Sequence, residues 1–462
     1  MLSTQYQKFL NLGKIECELT LDDEDWGRVC QSHLSLMELL ESDSIQIYGI
    51  HTGYGSNVLS QRPPESWSRN QIELLEYLTV GVGHFLPESV VRRALRLQVL
   101  KVVKGYSGIH PDTLNKLLQL SNNINLPNVP CFGSLGASGD LIPMAHAIGP
   151  IFKNYEPQGP RDVIGLVNTN SIMSSYAIEG WEKVSTQFRA THRILALVMR
   201  AVNTTDDAVS EKVSNLRPEN DGYRKASSLI RQDLNCLVSN KLSKKSWLQP
   251  RYSIRCAPMV LGNAWDLLTF AQDKILSDAE SVADNPLIFA ENNNITVAHA
   301  GLFYAASTAT AADLMNDVVG KICEMLDRQI LILMDPGLSE GLPENLKVDQ
   351  AGHCKGIHQL TSALNQQLRA LSTSSRNLSF SSEGNNQDIV PCAMSALNQL
   401  HNAIVISEQV IKSAAFVALR AYMIRVNMSL PKSLYLENWP SFNLKDLEKF
   451  FDEINPLEIQ TY

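Results

Sequence analysis

The chain is predicted to be mainly α. Apolar residues recur at helical spacing over long stretches, strand signals are short and scattered, and the strand–helix alternation of a doubly wound sheet is missing. The first clear helix covers 88–105, where Pro87 precedes the run and Gly105 can end it. Longer helices are expected over 301–334, 358–378 and 391–426. The last carries Ala, Ile, Val and Leu on several faces, and such all-round apolarity implies burial among other helices. Strands are confined to pieces such as 45–50 and 254–259. Between about 203 and 250 the sequence turns polar, with Asn-Leu-Arg-Pro-Glu-Asn-Asp-Gly at 215–222, which predicts a long connection or a domain boundary. The expected division is residues 1–202, followed by a helical bundle over 203–462.

Composition narrows the function classes. With 44% apolar and 19% charged residues, the chain can bury a substantial core. A formal charge of -8, from 48 acidic and 40 basic residues, argues against electrostatic capture of nucleic acid. The basic cluster from Lys241 to Lys245 reads as a solvated loop. The N-terminus has no basic region leading into an apolar core, and no later run reaches the roughly 18 apolar residues that span a bilayer. A cytoplasmic protein with no membrane partner is expected. The eight cysteines are scattered from Cys17 to Cys392 without a CxxC pair or zinc-ligand spacing, so reduced thiols and no metal are expected. Cys131 and Cys256 flank interesting segments, but a lone Cys is more often core than nucleophile.

The segment Cys131-Phe-Gly-Ser-Leu-Gly-Ala-Ser-Gly-Asp-Leu-Ile-Pro143 places three glycines within seven residues and then starts an apolar helix. A phosphate-cradling turn is one reading, but there is no GxGxxG, no Lys-Ser/Thr pair and no preceding strand. In a second reading, a strained loop presses the amide nitrogen of Gly139 against the carbonyl carbon of Ala137. A five-membered ring closes, and loss of two waters, one from Ser138, leaves an exocyclic methylene. Gly139 has no Cβ to block the attack, Ala137 is small, and Ser138 supplies the hydroxyl that is eliminated. Asp140 is placed to orient or deprotonate groups during closure.

Gly-Ser-Leu-Gly-Ala-Ser-Gly-Asp-Leu-Ile-Pro resembles the signature of the histidine, phenylalanine and tyrosine ammonia-lyase family, which carries a methylidene-imidazolone prosthetic group. The resemblance implies a histidine ammonia-lyase-like fold, an N-terminal domain bearing the Ala-Ser-Gly loop followed by a long-helix bundle. It implies this prosthetic group formed from Ala137, Ser138 and Gly139, with no external cofactor.

Further segments resemble the family in the same order. Tyr48-Gly49-Ile50-His51-Thr52-Gly53-Tyr54-Gly55 is similar to its Tyr-Gly-x-x-Thr-Gly-Phe-Gly loop, making Tyr48 the general base. A phenol, with a pKa near 10, is a poor base at neutral pH unless positive charge or a helix N-terminus favours phenolate. Gln249-Pro-Arg-Tyr252-Ser-Ile-Arg255-Cys-Ala-Pro258 resembles another segment, in which Tyr252 lies near the prosthetic group and Arg255 holds the substrate carboxylate by a two-pronged ion pair. Asn168 occupies the Asn-Gly-Thr position, contacting the imidazolone oxygen and the substrate, although Thr169 stands where the pattern has Gly. Asn285 in Asp284-Asn-Pro-Leu287 helps orient the carboxylate. The reaction implied is elimination of ammonia, with Tyr48 removing a β-hydrogen; re-addition of the amine at the β carbon gives an aminomutase instead.

Substrate choice follows from a few positions. Leu78 aligns with a selectivity position held by His in histidine and many tyrosine lyases and by Leu in phenylalanine lyases. Gln387 stands where histidine lyases tend to carry Glu, and Glu383 matches a carboxylate placed to receive the amino group. Leu78 and Gln387 argue against histidine and for a phenylalanine- or tyrosine-like substrate. His299 and His358 replace typical pocket residues and point to a polar or unusual aromatic substrate. The family resemblance further implies a homotetramer with active sites shared between chains.

Overall fold

The long apolar runs fold as helices in the computed structural model, which describes residues 4–42, 45–63, 66–239, 248–291 and 294–454. The main ones are Glu88–Val102, Ser171–Ala201, Ala257–Glu280, Ala306–Met334, Lys355–Ala370 and Ala393–Arg425. Among the described residues, sheet is limited to two antiparallel pairs, Val82–Phe85 with Pro130–Phe132 and Leu287–Glu291 with Asn294–Ala298. The fold is mainly α, as the sequence predicts.

Three local expectations are corrected. Residues 45–50 form a turn and not a strand: the amides of Ile50 and His51 both donate to the Ile47 carbonyl, and Gly49 takes φ 78°, which breaks an extended run. Ile47 and Ile50 are nevertheless core, packed with Leu36, Leu39 and Ile288. Residues 254–259 belong to the helical turn Tyr252–Arg255 and the start of Ala257–Glu280; so short an apolar run does not distinguish strand from helix. The polar 203–250 region contains the helices Glu211–Ser214 and Asp221–Asn235. The second is capped by Asn220, whose side chain accepts from the Tyr223 amide, and it buries Tyr223, Ile230 and Leu234. The Lys241–Lys245 cluster lies outside the described residues.

The 33-residue helix Ala393–Arg425 is long and apolar enough to cross a bilayer by length and composition, contrary to the sequence expectation, yet 67% of its apolar window is buried within the protein. That is the pattern of a core helix.

The chain divides into two compact units. The first comprises Met1–Gly180, Ala271–Asp313 and Ser374–Asn398, the second Trp181–Phe270, Leu314–Thr373 and Gln399–Tyr462. The expected cut after residue 202 differs from this. Each unit gathers three separate stretches, because most of the divisions fall inside single long helices and not in polar loops. In the first unit, the Glu88–Val102 helix is buried on nearly all sides, including Arg92, Arg93, Arg96 and Lys101. Its cations are tied to carbonyls: Arg93 donates to Phe9 and Ser175, and Arg96 to Leu12 and Lys14.

Candidate active site

The Gly-rich segment forms a strained loop in the first unit. Gly133, Gly136 and Gly139 have φ of 140°, 78° and 76°. A Cβ at Gly139 would lie 2.2 Å from the Thr169 carbonyl oxygen, so only glycine fits. Leu141, which follows, holds φ 35° and ψ -87°, a sparsely populated conformation costing on the order of 1–3 kcal/mol.

Surrounding side chains grip this loop. The Asn168 amide donates to the Ser138 carbonyl at 2.8 Å, Gln387 donates to the Ser138 hydroxyl at 2.9 Å, and the Ser134 hydroxyl donates to the Gly139 carbonyl at 3.1 Å. The Asp140 amide donates to the Thr169 carbonyl. Ala137 is buried beside Val390 and Cys392. The Asp140 carboxylate accepts from the amides of Ile172 at 2.6 Å and Met173 at 3.1 Å, at the start of the Ser171–Ala201 helix, where the helix dipole favours an anion. Burial pushes its pKa up to about 7, against those two amides and Lys101. Thr169 is accommodated without exposure, its hydroxyl 2.8 Å from that of Ser171. A pinned, strained Ala-Ser-Gly with no room for a Cβ at its third residue fits the five-membered ring expected from the sequence.

Ser138 opens onto a cavity of about 150 Å³ lined also by Tyr48, Leu78, Asn168, Asn285, Glu383 and Gln387. One water needs about 10–15 Å³ on this measure, so the space suits a small organic molecule. The Tyr48 hydroxyl accepts from the Gly55 amide at 2.7 Å. Burial raises its pKa and Glu383 adds to the rise, while the Gly55 amide and Arg161 oppose it. Within one chain Tyr48 is therefore a weaker acid than free tyrosine. Glu383 reaches across the Tyr48 loop: its carboxylate accepts from the Ser56 amide at 2.9 Å and from Asn386 at 2.7 Å, an approach that the bare Cα of Gly55 permits. Asn285 accepts from the Ala300 amide at 2.9 Å. Leu78, at the end of the Trp67–Leu78 helix, is a buried apolar wall.

Six expected site residues do not line this cavity: Ala137 and Gly139, which flank Ser138 in the loop, and four that lie elsewhere. Tyr252 and Arg255 belong to the second unit, where they line a separate cleft with Gln249. Tyr252 is 71% exposed, and the Arg255 guanidinium stacks over its ring at 4.7 Å. His358 is half-buried on the Lys355–Ala370 helix of the second unit. His299 is exposed just past the Asn294–Ala298 strand.

The sequence reading passes over Tyr54, Tyr77 and Phe303, which line the cavity with Leu74, Leu141 and Ile164. Tyr54 stands edge-on to Tyr48, ring centroids 6.3 Å apart, and its buried hydroxyl has no hydrogen-bond partner among the described residues. One signal for it was present: the Tyr48 loop has Tyr54 where the family pattern has Phe.

Known proteins resemble this chain in sequence and in fold. The sequence profile of the family described as aromatic amino acid lyase matches residues 5–158 and 153–439. Histidine ammonia-lyase of Idiomarina loihiensis is 28% identical over 411 residues, covering 83% of this chain and 79% of the relative. Tyrosine aminomutase from Streptomyces globisporus shares the fold with a TM-score of 0.82 at 21% identity, covering 98% of this chain and 96% of that one. Histidine ammonia-lyase from Trypanosoma cruzi gives 0.79 at 19% identity, covering 98% and 92%. With most of its length matched by the profile, the chain belongs to the aromatic amino acid lyase family and is a carbon–nitrogen lyase of the ammonia-lyase kind.

Proposed function

We propose that this chain eliminates ammonia from an aromatic L-amino acid of the phenylalanine or tyrosine kind, giving an α,β-unsaturated acid. The observation that carries the reading is one cavity lined by Ser138, Tyr48, Asn168 and Gln387, with the Ala137-Ser138-Gly139 loop pinned at its wall. The methylidene-imidazolone formed from that loop supplies an electrophilic carbon that turns the substrate amine into a good leaving group. Asn168 holds the Ser138 carbonyl and so positions the loop against the substrate. Tyr48 takes the β-hydrogen at its phenolic oxygen, and the Gly55 amide favours the phenolate that does so. Asn285 is assigned to orienting the carboxylate and Glu383 to receiving the amino group, a reading supported by both lining the cavity. The apolar wall at Leu78 receives the ring.

In this reading Tyr252 and Arg255 enter the site from another copy of the chain in a homotetramer, Arg255 taking the substrate carboxylate. The exposure of Tyr252 and the place of both residues outside the cavity are consistent with that. A second reading, histidine as substrate, is favoured by the name of the relative at 28% identity.

The deciding experiment incubates purified protein with phenylalanine, tyrosine, histidine and tryptophan and identifies products by mass spectrometry. Cinnamate or coumarate is expected. Urocanate would replace the proposal with the histidine reading, a β-amino acid would make the chain an aminomutase, and no product from any of the four would overturn it.

A further inference from the structure

Lys101 is buried in the Glu88–Val102 helix of the first unit, and nothing in the reaction uses it. Its ammonium donates to the Asn170 side-chain oxygen at 2.9 Å, the Asp278 carbonyl at 2.6 Å and the Ser281 carbonyl at 3.1 Å. Its direct acceptors are neutral, with the Asp278 and Asp140 carboxyl groups close enough to favour its charge, and burying a lysine here costs free energy that an apolar residue at the same place would avoid. One helical turn earlier, Gln98 accepts from the Ser171 hydroxyl at 3.0 Å and donates to the Gly165 carbonyl at 2.9 Å. Residues three apart share a helix face, so one face of this helix suspends the whole 165–171 turn.

That turn is the clamp on the ring-forming loop. Asn168 holds the Ser138 carbonyl, and the Thr169 carbonyl receives the Asp140 amide while closing off any Cβ at Gly139. Asn170 is also a departure, since the family pattern here is Asn-Gly-Thr and this chain reads Asn168-Thr169-Asn170. The departure supplies the amide oxygen that Lys101 grasps.

We propose that Lys101 is a positioning residue for ring closure, fixing through Asn170 the 168–170 turn that holds Ser138 and Gly139 in place. The inference rests on the ring-forming reading above. Closure joins the Gly139 nitrogen to the Ala137 carbonyl carbon. The Ala137 oxygen leaves as water with the amide protons of Gly139 and Ser138, and the Ser138 hydroxyl leaves as water with the Ser138 α-hydrogen. Lys101 exchanges no proton in these steps; it keeps the reacting atoms in register, where small displacements are expensive.

The test follows loss of two waters from the 137–139 peptide by mass spectrometry, at set times after synthesis of the full chain. The variants are Lys101→Met, Asn170→Leu, the double change, and Asn170→Asp, which retains an acceptor for the ammonium. Each of the first two should slow water loss about tenfold or more, and the double should be no slower than the slower single, because both cut one contact. Asn170→Asp should mature within about threefold of wild type. Wild-type maturation in Lys101→Met, multiplied effects in the double variant, or failure of Asn170→Asp would each overturn the role of Lys101. Circular dichroism identifies a variant that does not fold, in which case Asn170→Asp alone decides. Absence of water loss in the wild-type chain would overturn the ring-forming reading and this inference together, whereas the other failures leave ring formation standing.

Discussion

Replacing Gly139 with alanine isolates the tightest contact in the site. The added Cβ would meet the Thr169 carbonyl oxygen at 2.2 Å, where real contacts begin near 3.0 Å, and the backbone φ is 76°. Left-handed backbone costs an alanine about 1–2 kcal/mol. The carbonyl must also retreat by at least 0.8 Å, the difference of those distances, which strains the bond it accepts from the buried Asp140 amide. The added cost runs up to that of an unpaired buried donor, about 1–3 kcal/mol. Together these give about 2–5 kcal/mol, or roughly 30- to several-thousand-fold less protection of the Asp140 amide from hydrogen exchange, at about 1.4 kcal/mol per tenfold. The comparison is made in a Ser138→Ala background, so that ring formation does not differ between the two chains. Gly149→Ala is the control, because nothing lies within 4 Å of a Cβ there. Unchanged exchange at 139–141 in the Gly139→Ala chain would refute the steric argument. In the Ser138 chain the same substitution should abolish loss of two waters.

Other expectations follow from individual groups. Tyr48→Phe should lower kcat by about 10²–10⁴, the usual worth of a positioned base; because burial raises the Tyr48 pKa, wild-type kcat/KM should climb above neutral pH, and a profile falling with alkalinity would remove Tyr48 as the base. Burial lifts the Asp140 carboxyl from 3.8 to about 7, so the folded chain keeps a proton that the unfolded chain has lost. That stability is fully present below about pH 4 and is lost as pH rises through 7, at about 1 kcal/mol per unit relative to Asp140→Asn. Urea titrations at pH 5, 6 and 7 test this, and parallel curves for the two proteins would contradict it. Tyr54→Phe removes a buried hydroxyl without a partner, so stability should hold or rise by about 1 kcal/mol; a loss of that size in urea unfolding would reveal a partner. Leu78→His should raise kcat/KM for tyrosine or histidine relative to phenylalanine about tenfold or more, and an unchanged ratio would take Leu78 out of the ring-binding wall.

What the sequence made legible was local. The Ala137-Ser138-Gly139 loop stood out because the chemistry expected of it depends on residue type at fixed spacing, and the positive φ values and the missing space at Gly139 are compatible with that expectation. Long helices were legible because their apolar periodicity persists over many turns; 45–50 was misread because Gly49 bends a run that is apolar for core packing. Residues that act by tertiary placement were harder. Nothing in the order of motifs indicates that Tyr252 and Arg255 lie outside the Ser138 cavity of their own chain, or that His299 is exposed beyond a hairpin. A lysine in an amphipathic helix ordinarily lies at the surface, so Lys101 gives no signal of burial. Tyr54 was readable as a hydroxyl added to the family loop, but its lack of a partner needed the fold.

The pull between the relatives, named for histidine, and the Leu78 and Gln387 reading has a physical centre in the loop itself. Gln387 donates its side-chain amide to the Ser138 hydroxyl. In the ring-forming reading that hydroxyl is one of the two waters lost. In that reading maturation removes the partner of Gln387 and frees a neutral donor on the cavity wall that Leu78 also lines. A neutral amide can pair with a ring hydroxyl or a carboxylate oxygen, but it has no charge with which to hold an imidazolium. If histidine were the substrate, its ring, charged only below a pKa near 6.5 and polar above it, would face Leu78 and an uncharged amide, and the desolvation of its two nitrogens would be repaid only in part. In the proposed reading an apolar or phenolic ring pays less to be desolvated here, and this difference, more than any gain in contacts, is what argues against histidine.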